Sequence, residues 1–192
     1  MRIRTGYDSE DQERAANLYW EAFGSKLGSV LGPRAKAIRF LKRVMRPDHA
    51  ISAYDANGSL LGIAGFKTHK GALAGGGFSD LRLIYGVLGG SWRAILLSWL
   101  ERDIENESFL MDGIFVTAAA RGQGIGQALL DAVRIEAKDR GYRSIRLDVI
   151  DTNERAKALY LRNGFKDAGV QRMGVLRLIY KFRTATRMVA IL

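Results

Sequence analysis

The sequence predicts an α/β chain in which strands and helices interleave around one core, and three observations predict it. Apolar positions alternate on both sides of Asn57-Gly58, from Ala50 to Tyr54 and from Ser59 to Lys67, which is a hairpin signature. An apolar run from Phe109 to Val116 leads through a glycine-rich turn into helical spacing at Ile125, Ala128, Leu129, Ala132, Val133 and Ala137. Gly141 then stops that helix, and a β-rich stretch follows from Ser144 to Ile150. At 192 residues and 47% hydrophobic content the chain is sized for one domain, against a usual ~100 to 200 residues.

Taken in order, Ile3 to Tyr7 reads as a short strand, after which Asp8 or Ser9 can cap a helix to about Phe23. Ala15, Leu18, Tyr19 and Ala22 share one face of it, and Gly24, Gly28 and Gly32 are expected to interrupt it. Pro33 to Arg46 carries Arg34, Lys36, Arg39, Lys42, Arg43 and Arg46 with no acid among them. Apolar residues interleave at helical spacing, so this is an amphipathic helix with a cationic side. Pro47 ends it before the hairpin. From Gly71 to Glu107 the chain opens with the loop Ala74 to Gly77 and turns aromatic and apolar. Helical spacing runs from Ser91 to Asp103, with a bend expected at Gly89-Gly90. Past Tyr160, Phe165 to Gln171 and Val175 to Phe182 read as a closing pair of strands, and the apolar tail Met188 to Leu192 is expected to dock.

Composition removes several functions. With no cysteine there is no disulfide, thiolate metal site or cysteine acyl-enzyme. His49 and His69 have no ligand-like spacing, so no metal is expected. The polar N-terminus lacks a signal-peptide core, which predicts a cytoplasmic protein. Leu83 to Leu100 is apolar but holds Gly86, Gly89, Gly90 and a central Arg93, and it falls short of the ~20 residues of a membrane span. The net charge of +10 favours acidic partners; nucleic acid is not the expected one, because no recognisable reading module accompanies the basic helix.

The chemistry starts at Arg121 to Gly126. Gly122, Gly124 and Gly126 permit unusual dihedrals and close approach, and first-turn amides of the following helix can face phosphate oxygens. A dinucleotide loop needs a further glycine where Gln127 or Leu129 stands, and no Gly-Lys-Ser/Thr of a P-loop occurs. What fits is Arg/Gln-x-x-Gly-x-Gly/Ala: Arg121, Gly122, Gln123, Gly124, Ile125, Gly126. Upstream stands Val116-Thr117-Ala118-Ala119-Ala120-Arg121; downstream come Asn153, Ala156, Leu159, Tyr160, Gly164 and Phe165 in order. Together these resemble the two signatures of the GNAT superfamily of N-acetyltransferases, with Ala118 where a proline is usual. The resemblance covers about residues 109 to 182 well and the N-terminal half loosely.

The resemblance implies a mixed, mostly antiparallel sheet of six or seven strands flanked by helices, with two central parallel strands, Phe109 to Val116 and Ser144 to Ile150, that splay apart. It implies one domain over residues 1–192, residues 1–107 forming the acceptor side and 108–192 the acetyl-CoA side. Acetyl-CoA would be gripped at Phe115, Val116 and Arg121 to Gly126, with the Val116 amide donating to the thioester carbonyl. Asn153 either holds the cofactor or caps the next helix; the residues leave both open.

An acyl thioester attacked by an amine needs a neutral amine, a donor for the oxyanion and a proton for the leaving thiolate. Tyr160, matching the family's tyrosine, is the candidate acid. Asp112 is the candidate base, placed by strict alternation on one face with Leu110, Ile114 and Val116; Glu107 or a water chain are alternatives. The resulting expectation is an acetyl-CoA-dependent N-acetyltransferase acting by direct transfer, with a homodimer possible. The alternative is a catalytically silent acyl-CoA-binding module. For the acceptor, the aromatic segment 71–107 points to a hydrophobic amine and the cationic helix to an acidic one, and these indications conflict.

Overall fold

The computed structural model describes residues 1–99 and 108–192. Its strands are β1 (Arg2–Thr5), β2 (Ala50–Tyr54), β3 (Leu60–Thr68), β4 (Gly71–Ala72), β5 (Ser108–Val116), β6 (Ser144–Ile150), β7 (Lys166–Arg172) and β8 (Thr184–Ile191). They form one eight-stranded sheet in the order β1-β2-β3-β5-β6-β8-β7, with β4 paired to β3. The two-residue β4 is the strand beyond the six or seven expected. The hairpin forms as the alternation predicts, and the Asp55 carboxylate accepts from the amides of Asn57 at 2.9 Å and Ser59 at 2.8 Å across its turn.

Among these pairs β5 and β6 run parallel, and their register covers only Ser108↔Ser144 to Leu110↔Arg146. Beyond that point β5 continues to Val116 and β6 to Ile150 without pairing, so the two strands part. Each keeps its other neighbour: β5 pairs β3 to its end, and β6 pairs β8 along its whole length. The opening is therefore flanked by a paired strand on each side.

Helices α4 (Ile125–Asp139) and α5 (Glu154–Arg162) cover one face, where Leu129, Val133 and Tyr160 pack on Phe66, Phe109, Ile145 and Leu147. Helices α1 (Gln12–Leu31) and α2 (Arg34–Val44) cover the other, with Leu18 and Leu41 against Leu60, Ile63 and Phe115. Helix α3 (Phe78–Ser98) packs Leu81 beside Leu27 and Phe40, and leaves Leu83, Val87, Leu88 and Ile95 exposed. No helix among the described residues is long and apolar enough to cross a membrane. Two cations of α2 meet acids from outside that helix: Lys42 pairs with Glu13 and Arg43 with Asp80, each at 2.7 Å.

Three expectations are corrected. Helix α1 does not break at Gly24 or Gly28; it ends at Gly32, because burial of Leu27, Val30 and Leu31 offsets the ~1 kcal/mol helix penalty of each glycine. Helix α3 starts at Phe78 and is broken at Gly86, whose φ of 76° and ψ of 176° no ordinary residue adopts readily, and Gly89-Gly90 stays helical. The segment Val175 to Phe182 is not a strand: it holds a 3-10 turn and the short α6 (Arg177–Tyr180). The closing strand is β8, within which the tail residues dock. Thr186, Met188 and Ala190 alternate inward there, and the strand bonds to β6 on one edge and β7 on the other.

Candidate active site

After β5 the chain makes a 3-10 turn at Ala118–Ala120 and enters α4 through Gly122 and Gly124, with φ of 84° and 78°. Gly124 is the residue before α4 and sits in the left-handed region. The Ala128 amide bonds to the Gly124 carbonyl at 3.0 Å, so the amides of Ile125, Gly126 and Gln127 precede the helical ladder and face outward with the helix dipole behind them. Nothing stands within 4 Å of where a side chain on Gly122 or Gly124 would begin, which leaves an open, exposed cradle. The Arg121 Nε donates to the Val116 carbonyl at 3.1 Å and the Gln123 side chain to the Ala119 carbonyl at 3.0 Å, fixing the turn to the strand end. Ile125 anchors it in the core. A pyrophosphate-bearing ligand fits this cradle by charge and by access.

Beside the cradle the open edge of β5 carries the backbone of alternate residues. The Ile114 amide donates to the hydroxyl oxygen of Tyr160 on α5. Thr117 bonds instead to Leu61 on the β3 side, at 2.8 Å. By alternation Val116 faces the same way as Ile114, and its carbonyl taking Arg121 agrees. The Val116 amide thus points into the opening. Phe115 lies on the opposite course: its ring packs in the core at 5.6 Å from Tyr19 and 5.9 Å from Phe23, edge-on to both.

Tyr160 is 4% exposed, and burial pushes its phenol above the ordinary value of 10.0, the Ile114 bond opposing this in part. It lines a cavity of about 120 Å³ with Asp112, Asp148, Asn153 and Lys26. Asn153 caps α5, its Oδ1 accepting from the Ala156 amide at 3.2 Å.

Asp112 does not share a face with Ile114 and Val116. The register of β5 against β3 passes from Met111↔Phe66 to Gly113↔Gly65, so a bulge at Asp112 inserts one residue and reverses the alternation. Phe109 and Met111 before it, and Ile114 and Val116 after it, all pack towards α4. Asp112 is left facing the α1 side, where it lines the cavity with Phe23 and Lys26. Glu107, the alternative base, lies outside the described residues.

Asp148 was not singled out from the sequence. On β6, Ile145, Leu147 and Val149 turn into the core beneath α4, which turns Arg146 and Asp148 to the other side. Asp112 and Asp148, one from each of the parting strands, line the same cavity. A charge at every second position of an apolar strand was the available signal.

A second cavity of about 480 Å³ shares Phe23, Lys26 and Asp112 with the first. Its further lining comes from Phe40 and Leu41 on α2, Arg46 just past it, Lys67 on β3, the loop Gly75 to Gly77, and Leu97. Arg46 donates to Asp48 at 2.7 Å and to the Lys70 carbonyl at 2.7 Å, and this guanidinium holds the Asp48 carboxyl down at about 2. Among the described residues no group of three or more His, Asp or Glu is arranged to hold a metal ion. The arrangement is thus an anion cradle, a strand opening with a buried phenol, and a larger cavity that joins it at Asp112.

Comparison with known proteins fits this geometry. A mycothiol acetyltransferase of Jonesia denitrificans is 36% identical over 75 residues, which is 39% of this chain and 24% of that protein. A thialysine N-epsilon-acetyltransferase of Bos taurus is 37% identical over 70 residues, 36% of this chain and 38% of that protein. The chain thus spans well under half the length of these curated relatives. The crystal structure of a ribosomal-protein-alanine N-acetyltransferase from Brucella melitensis superposes over 100% of both chains with a TM-score of 0.65 at 19% identity, a likeness of fold. The family model for the acetyltransferase (GNAT) family matches residues 12–165, reaching from α1 to the end of the Asn153 to Phe165 signature, and the chain belongs to that family.

Proposed function

We propose that this protein is an N-acetyltransferase that moves an acetyl group from acetyl-CoA to a primary amine by direct transfer in a ternary complex. The observation that carries the reading is the Tyr160 phenol, held by the Ile114 amide at the point where β5 and β6 part, beside an open glycine cradle.

Acetyl-CoA would supply the activated thioester. The amides of Ile125, Gly126 and Gln127 and the turn from Arg121 to Gly124 would take its pyrophosphate. The Val116 amide, directed into the opening, would donate to the thioester carbonyl as charge builds there. Because Tyr160 accepts a bond from Ile114, its own O–H remains to donate, and a phenol kept protonated by burial suits the role of acid to a departing thiolate. Asp112 and Asp148 flank the place where the amine arrives and would draw its ammonium in and accept its proton, directly or through water. With no cysteine in the chain, a thiol acyl-enzyme has no nucleophile. On this reading residues 1–107 supply the acceptor side and 108–192 the acetyl-CoA side.

The test is release of free coenzyme A from acetyl-CoA in the presence of a panel of amines, amino acids, aminoglycosides and peptides. Amine-dependent release supports the reading. Tight acetyl-CoA binding with no release across the panel would instead make the chain a silent binding module.

A further inference from the structure

Helix α3 is apolar on both of its sides. The inner side is covered, with Leu81, Tyr85 and Leu97 clustered on Leu27 and Phe40. The outer side carries Leu88, Trp92, Ile95 and Trp99, which are 86%, 41%, 63% and 61% exposed. Between Leu81 and Trp99 the only charged residues are Arg82 and Arg93, and there is no acid. A helix apolar all round is one whose outer face also has a partner.

Spacing selects that partner. The four outer residues recur at intervals of four, three and four, the a/d spacing by which one helix seats against another, over roughly 17 Å of axis. A helix lying on a bilayer needs a broader apolar face backed by one rich in Lys and Arg, and the back of α3 is packed in the core.

The face is also ordered in advance. The Arg93 guanidinium lies 4.2 Å from the Trp92 ring centre and donates to the Gly89 carbonyl at 3.0 Å, so Trp92 loses little freedom on docking. From behind, Tyr85 donates to the Leu31 carbonyl and Tyr180 to the Leu96 carbonyl, each at 2.5 Å. Ser91 and Ser98 donate to the Val87 and Ile95 carbonyls of their own helix at 2.9 and 2.7 Å, so neither hydroxyl is orphaned when water leaves.

The area matches a second copy. Taking ~200 Å² as the full surface of a large apolar residue, these four with Leu83 and Val87 expose about 700 to 800 Å². The largest apolar patch on a typical monomer is ~300 to 600 Å², and each side of a stable interface contributes ~800 Å².

We propose that two copies of this chain pair through α3, the stripe of Leu88, Trp92, Ile95 and Trp99 on one against the same stripe on the other. Trp99 also lines the smaller cavity with Tyr160, so the seam reaches the edge of the candidate active site. The pairing stands independently of the transferase reading.

Sedimentation equilibrium of the full chain tests it. The wild type should be a dimer at micromolar concentration. Ile95→Glu places a carboxylate in the seam once from each copy, and it should raise the dimer Kd by on the order of 10²-fold or more with an unchanged circular dichroism spectrum. Leu88→Glu should do the same, and it carries the prediction if Ile95→Glu loses its fold. Ile95 lies near the middle of the stripe and hence near its own copy across the two-fold axis, so a mixture of Ile95→Glu and Ile95→Lys should pair more tightly than either alone. A monomeric wild type overturns the proposal, including one that instead floats with vesicles of phosphatidylcholine and phosphatidylglycerol. A dimer that survives both glutamate variants, or a mixture no tighter than its components, overturns it as well.

Discussion

The Ile114 amide on β5 donates to the Tyr160 hydroxyl oxygen on α5, and that bond ties the unpaired edge of the splayed strand to a buried phenol. It uses the phenol oxygen as an acceptor, which leaves the O–H of Tyr160 to donate where the residue lines the cavity. Replacement by phenylalanine keeps the ring, which packs at 5.5 Å from Phe165, and removes only the proton donor. Tyr160→Phe should therefore fold normally and lower kcat by on the order of 10² to 10⁴. Steady-state kinetics with a circular dichroism check decide this; unchanged turnover would remove Tyr160 from the chemistry.

The same burial governs pH behaviour. Desolvation raises the Tyr160 phenol above 10.0, which extends its protonated form to higher pH. A group raised in this way loses its proton later than usual, so kcat should show no fall as pH passes ~10. Rate against pH in buffers spanning neutrality to that limit checks this. A descending limb near ~10 that disappears in Tyr160→Phe would contradict it.

The glycines of the cradle are not equivalent. Gly124 has a φ of 78°, so Gly124→Ala should cost roughly 1–2 kcal/mol of stability and raise KM for acetyl-CoA as the cradle distorts. Gly126 is helical, and an added methyl would meet Leu159 at an ordinary 3.5 Å. Gly126→Ala should leave stability unchanged or raise it by up to ~1 kcal/mol. Denaturant melts of both variants check the contrast, and equal losses would be inconsistent with it.

Asn153 caps α5 through Ala156, so Asn153→Ala should destabilise the fold by ~1 kcal/mol, with Asn153→Asp retaining most of that stability. Thermal melts of the two variants read this. Equal destabilisation by both would argue against the cap.

Local chemistry made much of this molecule legible in sequence. The hairpin at Asn57-Gly58, the strand and glycine turn at Phe109 to Gly126, and the helix carrying Tyr160 all depend on residues near one another in the chain. What stayed hidden depends on partners far away. The bulge that turns Asp112 to the α1 side is a mismatch between β5 and β3, and no residue of β5 alone signals it. Asp148 gains meaning only from lining one cavity with Asp112, past the last parallel pair. Val175 to Phe182 alternates as well as β8 does, and what selects β8 is that it fits between β6 and β7. Gly24 and Gly28 stay helical because the neighbouring leucines are buried by α2 and α3.

The central claim is amine-dependent acetyl transfer at the opening between β5 and β6. Its most direct measurement is the rate of coenzyme A release at saturating acetyl-CoA as a function of amine concentration, in the wild type and Tyr160→Phe. The account predicts a rate that saturates with amine, falls towards zero without it, and drops by orders of magnitude in the variant. Release that ignores the amine, or that Tyr160→Phe leaves intact, would contradict it.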